Sequence, residues 1–224
     1  MGLYLVINIL IIAVPLALSF ESKLSFYKKQ KAFFFSIMIV SIAYIVWDAI
    51  ATIRGDWGFN DDYLLGIRLF SLPLEEILFF ITVPYSCIFI YETVNLYIKN
   101  KQIKLHSSVF VAAASVLFFF AILFYEQYYT VTVLLFSSAF IITSLMFNKD
   151  LINSSNFWLT ILITYFPFLA VNYVLTSLPI VWYNQSAIWG VRFLTIPYED
   201  FFYSFSMISW WIFFYNFGKK KFKV

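Results

Sequence analysis

The sequence contains one cysteine, Cys87, and one histidine, His106. A lone cysteine forms no internal disulfide and says nothing about redox compartment. One His and one Cys also fall short of the usual metal-binding cluster, so no metal is expected. Charge is scarce too. Charged residues are 12% of the 224 positions, and the net charge is +3. Hydrophobic residues reach 62%, against roughly half in an ordinary soluble domain. An ordinary soluble fold is therefore excluded. The opening MGLYLVINIL lacks the basic flank of a cleaved signal peptide and reads as a retained first span.

What the chain does have is long apolar runs. A helix crosses a bilayer with about 20 mostly apolar residues. Seven stretches qualify: residues 3–20, 32–53, 74–98, 107–125, 128–147, 157–178 and 198–217. The pattern predicts an all-α integral membrane protein with seven transmembrane helices. A very short turn around Glu126 and Gln127 joins the fourth and fifth.

The lysines set an orientation. Lys23, Lys28, Lys29 and Lys31 follow the first segment, and Lys99, Lys101 and Lys104 follow the third. Lys149 follows the fifth, and Lys219, Lys220, Lys221 and Lys223 follow the seventh. All fall on one side. The other side carries Arg54, Arg68 and Arg192. The positive-inside rule predicts a multi-pass protein of the cell membrane, N-terminus outside and C-terminus cytoplasmic. Lysines spread over short juxtamembrane loops make a poor nucleic-acid surface, so no nucleic-acid partner is expected.

One stretch occurs twice. GIRLFSLPLEEILFFITVPYSCIFIY starts at Gly66, and GVRFLTIPYEDFFYSFSMISWWIFFY starts at Gly190. Gly66, Arg68, Pro73, Glu75 and Tyr91 recur as Gly190, Arg192, Pro197, Glu199 and Tyr215, at a constant offset (192 − 68 = 124). Glu76 recurs as Asp200. The offset reaches further back, pairing Asp48 with Asn172, Thr52 with Thr176 and Asn60 with Asn184. The shared positions are polar residues, Pro and Gly, which chance apolar likeness does not supply. Segments one to three thus correspond to five to seven. Four crossings separate the counterparts, so the repeats are parallel, about an axis along the membrane normal. The fourth segment restores direction between them. The expected units are residues 1–98, a connector over 99–127, and 128–224.

Carboxylates beside membrane helices are costly, so keeping them twice asks for a reason. The Pro of each motif suits the first helical position, which needs no backbone donor. Ser71 or Thr195 stands where a capping side chain would. Glu75 and Glu199 then fall in the first turn, with Glu76 and Asp200 rotated about 100° from them. The helix N-terminus and Arg68 or Arg192 favour an ionised acid; burial and the second carboxyl favour a neutral one. One of each could deliver a proton and accept one back. The structural alternative is a Glu that caps its helix and pairs with the Arg of its loop. Asp48 adds an intramembrane acid, with Thr52 on the same face. Phe79 and Phe80 lie one turn below the first acid pair, and Phe202 and Tyr203 below the second. Trp47, Trp182 and Trp189 lie near the outer ends. Such rings pack or form interfacial belts, and they also tolerate a carbocation.

The runs PLEE (Pro73 to Glu76) and PYED (Pro197 to Asp200), in two three-helix repeats, resemble the lycopene cyclases of the heterodimeric bacterial type. The fused archaeal and bacterial forms, and the cyclase part of fungal bifunctional enzymes, are the nearest in form. The resemblance covers essentially the whole chain, and these short runs carry it. It implies lycopene β-cyclase activity: redox-neutral, acid-catalysed closure of linear ψ end groups to β-ionone rings, giving γ- or β-carotene. No cofactor is implied. The G-x-G-x-x-G fingerprint of the flavin-containing cyclases is missing. Lycopene or a related acyclic carotenoid and the lipid bilayer are the implied partners. A second copy, or other carotenoid enzymes, would be further contacts. Glu75 and Glu199 stand as the principal acids, Glu76 and Asp200 as supporting acids or base, and Asp48 as a proton relay. Arg68 and Arg192 would orient a carboxylate. Asn172 marks a departure from its counterpart Asp48. A proton-coupled transporter is the alternative, since parallel repeats and intramembrane acids suit that class as well.

Overall fold

A computed structural model describes residues 2–103 and 105–224; Lys104, one of the orienting lysines, lies outside them, as does Met1. The chain is mostly helical. The helices are α1 (Leu3–Leu18), α2 (Gln30–Arg54), α3 (Leu74–Tyr97), α4 (Ser107–Leu123), α5 (Tyr128–Phe147), α6 (Lys149–Ile152), α7 (Ser155–Ser177) and α8 (Glu199–Phe222). The short α6 was not expected, and neither were six small strands. Among the described residues, four helices are long and apolar enough to cross a membrane: α2, α3, α5 and α7. Both α1 and α4 are apolar but shorter, with 16 and 17 residues.

Local chemistry sets the helix ends. Gly55, at φ 84°, ends α2 and donates its N–H to the Ala51 carbonyl. Ser154 caps α7 by accepting from the Phe157 N–H at 3.2 Å. Pro73 is the residue before α3 rather than its first turn, and Tyr198 stands between Pro197 and α8. Neither helix has a side-chain cap. Ser71 and Thr195 thus do not cap, and the Thr195 hydroxyl bonds to Thr176 instead.

The two halves pack alike. α1 lies on α3, and its counterpart α5 lies on α8. Across the halves, α2 packs on α8 and α7 on α3. α4 packs on α5. Gly218 makes the α2–α8 approach close: a Cβ there would lie 2.9 Å from the Ala32 Cα. At the lysine-rich end, the buried Glu92 of α3 pairs with Lys29, and with Lys219 at 2.6 Å. Asn216, the counterpart of Glu92 (92 + 124), donates instead to the Tyr91 hydroxyl at 3.0 Å.

At the other end β1 (Trp57–Phe59) pairs antiparallel with β4 (Val181–Tyr183). Gly58 faces Trp182, its own repeat counterpart (182 − 58 = 124). The ribbon therefore joins the two halves like with like. Alternate residues point to opposite faces of a strand. Trp57, Phe59, Val181 and Tyr183 face inward, and Trp182 lies outward, across Gly58. A Cβ on Gly58 would sit 2.4 Å from the Trp182 ring. Gly58→Ala is expected to cost about 1 kcal/mol, the low end for overpacking, because the half-exposed ring can turn away. Thermal unfolding of Gly58→Ala, Trp182→Ala and the double variant checks this. The penalty should vanish in the double variant.

Candidate active site

The repeated motif first builds a loop. Gly66 and Gly190 adopt φ 81° and 89°, left-handed values that favour glycine. β2 (Arg68–Leu69) then pairs with β3 (Leu72–Pro73), and β5 (Arg192–Phe193) with β6 (Ile196–Pro197). Each Arg closes its hairpin. Arg68 donates to the Ser71 carbonyl at 3.1 Å, and Arg192 to the Thr195 carbonyl at 2.8 Å. Glu75 accepts from the Leu65 N–H at 2.6 Å. Glu199 accepts from the Trp189 N–H and from the Thr130 hydroxyl. Each of these two acids thus ties the loop ten residues upstream (75 − 65, 199 − 189).

The following residues turn the other way, into a cavity of about 520 Å³. That size suits a small-molecule site, roughly 300–1,000 Å³. Asp48, Glu76 and Asp200 line it; Glu75 and Glu199 do not. Glu199 borders a smaller cavity of about 250 Å³ against α4. The three lining acids are all buried. Glu76 accepts from the Tyr4 hydroxyl at 2.5 Å. Asp48 accepts from the Trp57 indole N–H at 2.8 Å, and its second oxygen has no hydrogen-bond partner among the described residues. Thr52 reaches Asp48 weakly, at 3.4 Å. Asp200 accepts two phenols, Tyr129 at 2.6 Å and Tyr183 at 3.0 Å. Burial drives the Tyr183 hydroxyl, on β4, well above its ordinary pKa, and the charge of Asp200 adds to this.

The other expected residues divide. Phe79, Tyr203 and Asn172 line the chamber. Phe80 is fully buried in the core, and Phe202 borders the smaller cavity. Arg68 is exposed and pairs with Asp61, so it holds neither acid of its motif. Arg192 lies over the Tyr183 ring at 5.9 Å and reaches Asp200 through it. Among the described residues no group of three or more His, Cys, Asp and Glu is placed to hold a metal ion.

The comparison with known proteins fits this duplicated arrangement. The lycopene cyclase family profile matches residues 2–94 and residues 126–218, once in each half. The chain belongs to the lycopene cyclase family. A bifunctional lycopene cyclase/phytoene synthase from Leptosphaeria maculans is 29% identical over 80 residues. That stretch is 33% of this chain and 14% of the fungal protein, so the chain spans a small part of its relative. No solved structure matches.

Sequence reasoning about this family member missed four residues: Tyr4, Trp57, Tyr129 and Tyr183. Each donates to a chamber acid. Tyr4 and Tyr129 stand in the first turns of α1 and α5, which pack beside the acid-bearing helices. That placement was the available signal. Trp57 and Tyr183 come from strands that no apolar run announces.

Proposed function

We propose that the protein closes the linear ψ end groups of lycopene, or a related acyclic carotenoid, to β-ionone rings, as an isomerase of the intramolecular lyase class. One observation carries the reading: three carboxyls from both halves line a single, mostly apolar chamber. Glu76, buried and lining the same chamber as Asp48, is the proton donor in this scheme. Asp200, with both oxygens accepting phenols, is the acceptor.

The steps balance without an electron carrier. Glu76 gives its proton to the terminal double bond. The neighbouring double bond attacks the resulting tertiary cation, and the ring closes. Asp200 removes a ring proton, which leaves the ring double bond. Trp57, Phe79, Tyr129 and Tyr203 offer aromatic faces to the cation. Excluding water protects the cation from capture. Glu75 and Glu199 act in this scheme by holding the loops. We further read the helices as seven spans in two parallel repeats joined by α4, with the lysine-rich end cytoplasmic.

Expression in lycopene-accumulating cells tests the proposal. The wild-type chain should convert acyclic pigment to cyclic carotenoid. Asp200→Asn should lower the cyclic yield at least about 100-fold, as for loss of a general base. Unchanged acyclic pigment with the wild type, or full yield from Asp200→Asn at equal protein level, would sink it. The transporter alternative gains nothing from the family match.

A further inference from the structure

The chamber is long, yet its acids stand at one end. Its wall on α3 runs from Glu76 through Val83 to Ile90. Fourteen residues (90 − 76) at about 1.5 Å each span roughly 21 Å. Asp48 and Asp200 bond to Trp57 of β1 and Tyr183 of β4, and Glu76 stands at that end of the α3 wall. At the far end Pro15, Ser86, Cys87 and Ile90 form the wall, without a carboxyl among the described lining residues there.

A duplicated bundle would be expected to hold two such slots. Three substitutions between the halves remove the second. Val171, Ser86 and Cys87 line the open slot. Their counterparts are Trp47, Trp210 and Trp211 (171 − 124, 86 + 124, 87 + 124). Trp47 packs on Phe136 at 5.7 Å and on Tyr129 at 6.0 Å. Trp210 packs on Phe140 at 5.7 Å, and Trp211 is fully buried. Large rings fill one slot, and small side chains leave the other open. The acids of both halves therefore serve a single slot.

That slot opens sideways. α1 and α7 both pack on α3, and the chamber lies between them. Leu10 on α1, and Pro167 and Ala170 on α7, line the chamber and are also exposed on the outer surface. In a membrane that surface meets lipid chains.

We infer that a polyene enters this slot from the bilayer, between α1 and α7, and has one end group converted per visit. The inference rests on the cyclase reading. Forming a second ring requires withdrawal, reversal and re-entry, so the monocyclic carotenoid is a released product.

The test uses the purified chain in liposomes loaded with excess lycopene, with pigments extracted over time. Monocyclic product should accumulate first. Bicyclic product should follow only as lycopene runs low, or not form. Bicyclic product from the earliest times, with lycopene still in excess, overturns the inference. Val171→Trp copies the ring that fills the other slot and should lower the initial rate at least tenfold with unchanged gel-filtration behaviour. Leu10→Trp, at the exposed lip, should lower it as well and guards against misfolding of the first variant. Wild-type rates in both overturn the sideways entry. If the wild type forms no ring at all, the cyclase reading fails, and this inference with it.

Discussion

Glu76→Gln is expected to lower ring formation by about 10²- to 10⁴-fold, the usual range for losing a general acid. That corresponds to roughly 3–5 kcal/mol of barrier. Gln keeps the shape and can still accept from the Tyr4 hydroxyl. It cannot give up a proton. The informative comparison is Glu75→Gln, one residue away. Glu75 lies outside the chamber and accepts from the Leu65 N–H, a bond an amide oxygen can also make. Its loss should stay below about tenfold, small beside that of a proton donor. Initial rates in lycopene-loaded liposomes, at equal protein level, decide between them. A reversed order would return the principal role to Glu75, as its recurrence in both motifs first suggests.

Glu92→Ala is expected to destabilise the protein by about 3 kcal/mol, the low end for breaking a buried ion pair. Glu92 is 5% exposed and takes both Lys29 and Lys219. The variant strands two ammonium groups between α2, α3 and α8. Their side chains are 25% and 26% exposed, so solvent recovers part of the loss. For a chain of this size, 3 kcal/mol lowers the unfolding midpoint by roughly 6–12 °C. Thermal unfolding in detergent measures it. An unchanged midpoint would mean that the pair contributes nothing net. Rings should still form at low temperature, because the pair stands at the end away from the acids.

Much of this was legible in the residues. The apolar runs set the helices to within a few positions, because apolar length is a local property. The constant 124-residue offset exposed the duplication, and the ribbon that pairs Gly58 with Trp182 repeats it in space. The paired acids were visible as residues. Which acid of each pair lines the chamber was not, and the reason is geometric. The same spacing that repeats Gly, Arg, Pro and Glu repeats a loop, and Glu75 and Glu199 recur with that loop. The less uniform next position, Glu76 in one half and Asp200 in the other, faces the chamber.

By itself the sequence determined that the chain is a duplicated, helical, membrane-type protein carrying paired acids, since hydropathy and spacing need no knowledge of neighbours. Only the tertiary structure decided which acid of each pair meets the chamber. It alone placed Tyr4, Tyr129 and Tyr183 on those acids and Trp57 on Asp48, and it alone left one slot open beside a filled one. A turn of about 100° between adjacent helix positions sends two neighbouring carboxyls into different surroundings. What those surroundings are depends on elements more than sixty residues away, such as Tyr4 against Glu76 (76 − 4 = 72) and Tyr129 against Asp200 (200 − 129 = 71).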